Sequence, residues 1–416
     1  MFKVLEPSER KRVAFVMNMG ANGLGASRSL GRCGIPVVGM DFTRNPPGFA
    51  SKYVDPLPCP DPVSQPDQLL DLLSKRGQEL NEKGVLFPCS DAFITFVSKN
   101  RREISKWFEL TVPPDGVIEG LVDKRIQYGW AIKLGIPIPD TFFPKGLGEV
   151  QEMKGQVKFP CFIKPLKSHL WSRKFSTKGF IVRDQKELEA RFVELEGTGL
   201  ETMVQKVIMP PGENIRGVAA YYGRNGYVSP IFTWEKTRQT PPNFGVGCCV
   251  CSRWFPETAE MGKKFAQGIG FLGTGSINFK LDPEDGIWKL IEMNGRIWLH
   301  NYHSAKSGLN MTLLQYLDSQ NLPLPMVEGF KEGVVWWDSL SDFNTYLRLR
   351  KRHRLGFSEW VDSWFLPEVH AYFEKGDIGP ALMRHRYGVE WAMMIGNFLR
   401  TKVDQDAIWD DLVKSS

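Results

Sequence analysis

The chain has 416 residues, 42% hydrophobic and 12% aromatic, which excludes a disordered polymer and allows about two to four domains with buried cores. A formal net charge of +6 is modest at this length; it permits an acidic small-molecule substrate and gives no reason to expect nucleic acid as a partner. Six scattered histidines offer no zinc site, and Cys248, Cys249 and Cys251 cluster without the paired spacing of a tetrahedral centre, so the seven cysteines read as thiols of a reducing compartment.

Residues 1–12 are charged and lead straight into a strand, without the apolar stretch and small-residue cleavage site of a signal peptide. No run reaches the ~18 apolar residues of a membrane span, so the cytoplasm is the expected location. The first domain is expected over residues 1–120. Arg12 to Met17 reads as a strand, Gly20, Gly23 and Gly25 as the turn after it, and Ala26 to Gly34 as a helix. A second strand, Pro36 to Met40, ends at Asp41. This could be a dinucleotide fingerprint with Asp41 on the ribose, although the glycine spacing departs from G-x-G-x-x-G; simple strand-to-helix packing is the alternative. Val85 to Pro88 is a further strand, and Cys89, Ser90 and Asp91 after it would bring polar side chains to the carboxyl edge of the sheet.

Asp123 and Lys124 open a helix that runs to Leu134 and stops at Gly135. Lys164 sits in the apolar strand CFIKP, where a cation needs a partner; an edge-strand lysine is the alternative. The segment from Ser168 to Lys178 has no glycine before Gly179 and carries Arg173, Lys174 and Lys178. Met203 to Met209 reads as another apolar strand, followed by prolines, Gly212 and Glu213.

From Gly275 to Trp298 the chain reads as a hairpin. Ile277, Phe279 and Leu281 alternate with Ser276, Asn278 and Lys280, a turn follows at Asp282 to Gly286, and the return strand carries Glu292, Asn294 and Arg296 on one face. Any even register puts Asn278 and Glu292 on the same side of the sheet. Oxygen ligands so clustered suit Mg2+, and a neighbouring arginine suits charge that develops in phosphoryl transfer; a solvated surface hairpin is the alternative. Beyond residue 330 the chain is rich in Trp, Phe and charge. Helices are expected from Ser341 to Arg354 and from Pro380 to Arg400, with a basic cluster at Arg348, Arg350, Lys351, Arg352 and Arg354.

Leu290 to Arg296, LIEMNGR, resembles the terminal metal motif of the ATP-grasp superfamily, an acid followed by Asn-Pro-Arg, with glycine in place of proline. Val122-Asp123-Lys124 with LGIPIP, the FPCFIKP strand, MVQKVI with Gly212 and Glu213, and Lys236, Arg238 and Gln239 before Pro241-Pro242 resemble that superfamily in the same order. The last segment is similar to D-aspartate-ligase-like carboxylate-amine ligases. The resemblance implies a mixed α/β and α+β ATP-grasp fold: an N-terminal Rossmann-like domain over 1–120, nucleotide-clasping lobes over 121–200 and 201–330, and a mostly helical extension over 331–416.

It also implies an ATP-dependent ligase that joins a carboxylate to an amine through an acyl phosphate. ATP and Mg2+ are the implied cofactors, with Mn2+ as an alternative ion, and the substrates would be amino acids or a short peptide. A homodimer is common among such proteins. By the same resemblance Lys124, Lys164 and Lys178 meet phosphate, and Gln205, Lys206, Val207 and Ile208 hold adenine. Glu213 takes the ribose, and Asn278, Glu292 and Asn294 hold the metal. Arg296, Lys236 and Arg238 face the reacting phosphoryl or carboxylate. Asn278 stands where many such proteins have an acid, which together with Gly295 keeps open a nucleotide-binding scaffold without turnover. A nicotinamide oxidoreductase, resting on the N-terminal glycine loop alone, and a phosphotransferase that needs no amine also stay open.

Overall fold

The computed structural model describes residues 5–6, 12–166, 171, 174–175, 179–210, 212–351, 354–363 and 368–385. The first sheet is all parallel, in the order β3-β2-β1-β4-β5, from β1 (Ala14–Met17), β2 (Val37–Asp41), β3 (Asp55–Pro58), β4 (Gly84–Pro88) and β5 (Phe108–Leu110). Its central strands are buried on both faces, as parallel strands covered by helices must be.

The helix after β1 spans Ala21–Gly31 and so starts five residues before the expected Ala26. Gly23 and Gly25 therefore lie inside it, and close packing explains them. A Cβ on Gly23 would come within 1.9 Å of the Asn18 carbonyl oxygen, and one on Gly25 within 3.1 Å of Tyr302 Cβ. Asp41 is buried and turned inward: Oδ2 accepts from the Met19 N–H at 2.6 Å, and Oδ1 from Thr43 N–H and Oγ1 at 2.8 Å. This corrects the dinucleotide reading, because the carboxylate that would read a ribose is committed to its own turn.

The second sheet, in the order β6-β9-β7-β8, is antiparallel and formed by β6 (Thr141–Phe142), β7 (Cys161–Pro165), β8 (Phe180–Val182) and β9 (Thr202–Lys206). The lysine-bearing strand β7 lies between β9 and β8, which removes the edge-strand reading of Lys164. The third sheet has seven strands in the order β14-β13-β10-β11-β12-β15-β16. They are β10 (Ile215–Tyr222), β11 (Phe232–Thr240), β12 (Val246–Ser252), β13 (Gly273–Asp282), β14 (Ile287–Asn294), β15 (Val335–Trp337) and β16 (Glu368–His370).

Helix Lys124–Lys133 is capped by Asp123, whose carboxylate accepts from the Arg125 N–H, a cap worth about 1 kcal/mol. It packs with helix Pro256–Gly268 on the third sheet through Tyr128, Ala131, Phe265, Phe279 and Leu290, all fully buried. Burial of each large apolar side chain contributes about 1.5–3 kcal/mol.

The C-terminal segment departs from the expected helical extension. Its helix Ser339–Lys351 is present, and residues 379–385 are helical, but β15 and β16 complete the third sheet. The same segment ties back to the first sheet: buried Arg28 donates from Nε to Asp377 Oδ2 at 2.8 Å and from Nη2 to the Tyr372 carbonyl at 2.7 Å. Arg352 and residues 386–400 lie outside the described residues. Among the described residues no helix is long and apolar enough to cross a membrane.

Candidate active site

The hairpin of β13 and β14 places Asn278 directly opposite Glu292, with Nδ2 and Oε1 3.5 Å apart. The next pair is Phe279 with Leu290, so Ile291 is an extra residue in β14. Such a bulge re-aims neighbouring side chains. Its carbonyl accepts from the Tyr128 hydroxyl at 2.7 Å, which fixes the bulge against helix Lys124–Lys133. At the start of that helix Lys124 Nζ lies 3.3 Å from Glu292 Oε2. Burial pulls the Lys124 pKa down, but the Glu292 carboxylate and neighbouring Tyr128 outweigh it and leave the ammonium above its ordinary value.

Past the strand, Arg296 Nε contacts Asp91 Oδ1 at 2.9 Å, and its Nη2 donates to Asn294 Oδ1 at 3.3 Å. The arginine thus bridges the hairpin and the carboxyl edge of the first sheet. Gly295 has a packing reason: an added Cβ would stand 2.7 Å from Leu121 Cδ1 and 3.3 Å from Phe271.

A cleft of about 540 Å³ opens between the second and third sheets. Asn278, Glu292, Ile291, Asp91 and Tyr128 line it, together with Lys124, Lys164, Lys206, Lys236 and Lys280. Lys164 Nζ donates to Gln205 Oε1 at 2.8 Å, and Gln205 Nε2 donates to Tyr128 and Thr141 hydroxyls at 3.1 and 2.9 Å. A continuous run of side-chain hydrogen bonds therefore joins the lysine strand, β9 and the bulge. On the segment after β9, the Lys206 N–H is bonded to the Asp140 carbonyl and the Val207 N–H to that of Pro160. Among the described residues the Ile208 N–H has no such bond, which makes it the available backbone donor for a ligand edge.

Three expected side chains need correction. Arg238 does not enter the cleft. The β11–β12 register shifts between Lys236 and Arg238 and again between Arg238 and Gln239. Simple alternation would put Lys236 and Arg238 on one face; instead Arg238 is buried on the other, with Nε 2.7 Å from Asp342 Oδ1 and Nη2 3.1 Å from Oδ2. The Lys206 side chain is held by Asp282 at 3.0 Å and Glu284 at 2.6 Å, so it clamps β9 to the hairpin turn. Glu213 is absent from the cleft lining; its carboxylate meets Arg354 Nη2 at 3.4 Å, while its carbonyl accepts from Lys280. Lys178 lies outside the described residues.

Lys280, Gln239 and Asn243 line the cleft without being marked by sequence pattern as ligand contacts. Lys280 is legible in part, since it alternates with Leu281 on the face of Asn278. Its Nζ donates to the Pro210 and Glu213 carbonyls at 2.6 Å each, and burial brings its pKa down to about 8. Gln239 is hidden by the shifted register, and Asn243 sits in a turn with φ 76° that no strand period encodes.

Mg2+ fits the donors as part of a metal nucleotide. Among the described residues no three His, Cys, Asp or Glu side chains come together. Glu292 with the Asn278 carboxamide supplies the one or two protein oxygens that Mg2+ takes when phosphates and water complete its shell.

No family model matches the chain. It is 24% identical over 255 residues to a D-aspartate ligase of Enterococcus faecium (strain Aus0004), which covers 59% of this chain and 61% of that protein. The match thus spans about three-fifths of the relative's length. Among solved structures, N5-carboxyaminoimidazole synthetase from Staphylococcus aureus complexed with ADP superposes with a TM-score of 0.59 at 15% identity, covering 76% of this chain and 78% of that one. L-amino acid ligase from Bacillus licheniformis gives 0.57 at 16% identity over 75% of each chain. The biotin carboxylase domain of the Hydrogenobacter thermophilus 2-oxoglutarate carboxylase, with MgADP and bicarbonate, gives 0.60 at 18% identity, covering 78% of this chain and 73% of that one. These likenesses define the architecture as a mixed α/β fold of the ATP-grasp type.

Proposed function

We propose that the protein is an ATP-dependent carboxylate-amine ligase, ADP-forming, that makes an amide or peptide bond. The observation that carries this reading is the Asn278–Glu292 pair facing a cleft lined by Lys124, Lys164 and Lys236. Polyphosphate needs such cations, and a metal nucleotide needs such oxygens. Likeness to a D-aspartate ligase and to an L-amino acid ligase supports amino acids or short peptides as the substrates.

In this reading a substrate carboxylate oxygen attacks the γ-phosphorus of ATP, the bond to the β-phosphate oxygen breaks, and ADP leaves. The amine nitrogen then attacks the acyl carbon of the acyl phosphate. The carbon–oxygen bond breaks, inorganic phosphate leaves, and the nitrogen loses a proton. Lys124 and Lys164 neutralise phosphate, Lys236 and Arg296 steady the transferred group or the carboxylate, and the Ile208 N–H reads the adenine edge. Lys178 is assigned to phosphate. Mg2+, or Mn2+ with its similar oxygen preference, would be held by Asn278, Glu292 and Asn294 and would draw charge from the phosphates. Seven free cysteines support a reducing compartment, the cytoplasm. A homodimer belongs to the same reading, and light scattering of the full chain measures it.

The test is Mg2+-dependent ADP release against pooled carboxylic acids and amines, with mass spectrometry of the products. A new amide mass is expected; hydroxylamine should trap the acyl phosphate as a hydroxamate. ATP binding with no ADP release from any pool would overturn the proposal.

A further inference from the structure

Two carboxamides in the cleft are buried without a partner for their N–H2 groups. Gln239 is 4% exposed and Asn243 3%, and neither Gln239 Nε2 nor Asn243 Nδ2 has a hydrogen-bond acceptor among the described residues. A buried donor left unpaired is costly, and native structures rarely keep one without a use. Here two occur four positions apart, at the end of β11 and in the turn that follows, and both line the same cleft.

The orientation of the first amide is fixed. Gln239 Oε1 accepts from Lys236 Nζ at 3.4 Å, so the N–H2 group is the end left over. The shifted register that sends Arg238 to Asp342 is what brings Gln239 to the Lys236 side of the strand. Asn243 is held by its surroundings. Its backbone has φ 76°, a conformation asparagine tolerates, and Phe244 beside it packs on Phe162 of β7 with ring centroids 5.0 Å apart. The turn thus reaches from the third sheet to the lysine strand of the second. Both unpartnered groups are donors only, and they stand in a cleft that Lys236 and Lys280 also line. Donors beside ammonium groups match an oxygen-rich anion.

We propose that Gln239 and Asn243 are specificity-determining residues that bind phosphoryl or carboxylate oxygens of a ligand in this cleft. The inference rests on the ligase reading for the two sources of such oxygens, the ATP polyphosphate and the carboxylate to be activated. Gln239→Met removes one donor at similar volume, and Asn243→Gly removes the other while keeping the positive φ accessible.

The experiment uses the full chain and three probes: inorganic pyrophosphate, MgATP, and acid-dependent ADP release with the carboxylic acid pool. Each variant is expected to weaken at least one probe about tenfold, the worth of one good hydrogen bond to a charged group. Loss on pyrophosphate and MgATP assigns the pair to polyphosphate; a raised KM for the acid with unchanged MgATP binding assigns it to the carboxylate. Thermal melting separates a structural role. Removing an unsatisfied donor should leave the ligand-free Tm unchanged or raised, and should shrink the rise in Tm on adding the affected probe. Should either variant fail to fold, Gln239→Glu and Asn243→Asp replace the donor by an acceptor at nearly the same size, with the same loss expected. Changes below twofold on every probe, or a wild-type chain that binds none of them, overturn the inference. A chain that binds pyrophosphate through these residues but never turns over ATP defeats the ligase reading alone.

Discussion

Asp91 Oδ1 and Arg296 Nε lie 2.9 Å apart and join the carboxyl edge of the parallel sheet to the end of the β13–β14 hairpin, across 205 positions of sequence. Arg296 also donates to Asn294 Oδ1, so one guanidinium is oriented from both sides. The Asp91 side chain is 51% exposed, and exposed ion pairs contribute only about 0–1 kcal/mol to stability. Asp91→Ala should therefore leave the melting temperature nearly unchanged while slowing ADP release about ten- to hundredfold, because positioning of a charged group is worth on the order of 1.5–3 kcal/mol. Equal turnover in the variant would mean that the pair is an incidental surface contact.

Glu292 is the carboxylate of the hairpin face that meets both Asn278 and Lys124. Glu292→Gln keeps the shape and removes the charge. In the proposed reaction it should lower Mg2+-dependent ADP release by about a hundredfold or more, on the scale of losing an electrostatic partner of the transition state. The Lys124 ammonium should then lose its main counter-charge and its pKa should fall from the raised value. Circular dichroism that matches the wild type, with turnover retained, would remove Glu292 from the metal site.

The hairpin is legible in the sequence because Ile277, Phe279 and Leu281 recur on alternate positions, but the pairing of Asn278 with Glu292 depends on the Ile291 bulge, since the Phe279–Leu290 register continued without it would set Asn278 opposite Ile291. Where the register shifts, periodicity misleads. Lys236 and Arg238 are two apart, as residues of one face should be, yet the irregularities on either side of Arg238 send them to opposite faces. Lys206 is hidden for another reason: its acidic partners, Asp282 and Glu284, lie far along the chain in the hairpin turn. The Val335–Trp337 strand has no signature because all three residues are buried, so no alternation marks it.

Arg238 and Asp342 form a buried pair, with side chains 7% and 0% exposed, and Trp360 Nε1 donates to the same carboxylate at 2.8 Å. This is an arrangement for stability, not turnover. Arg238→Ala would leave the buried Asp342 carboxyl without its counter-charge, at a cost of about 3–5 kcal/mol, visible as a lower denaturant midpoint. The double variant Arg238→Met with Asp342→Leu should recover much of that loss, since removing both charges leaves neither unpaired. A single variant with unchanged stability and lost activity would restore Arg238 to the reacting group.

Lys280 gives the cleft a pH response. Burial lowers its pKa to about 8; the Glu213 carboxylate pulls it up, Lys236 pushes it down and Asp282 pulls it up more weakly. The unfolded chain would hold this proton up to the ordinary lysine value of 10.5, so between about 8 and 10.5 the unfolded state binds more protons than the native one. Stability from this group therefore rises with pH across that window, and below about 8 its burial cost is fully present. Anion binding has the opposite sign: the charged ammonium attracts phosphate, so nucleotide affinity should weaken as pH climbs through about 8, with proton uptake on binding near that pH. Calorimetry in buffers of different ionisation enthalpy measures the uptake directly. Lys280→Met should abolish both the uptake and the affinity change. If the pH dependence survives that substitution intact, another group in the cleft carries it.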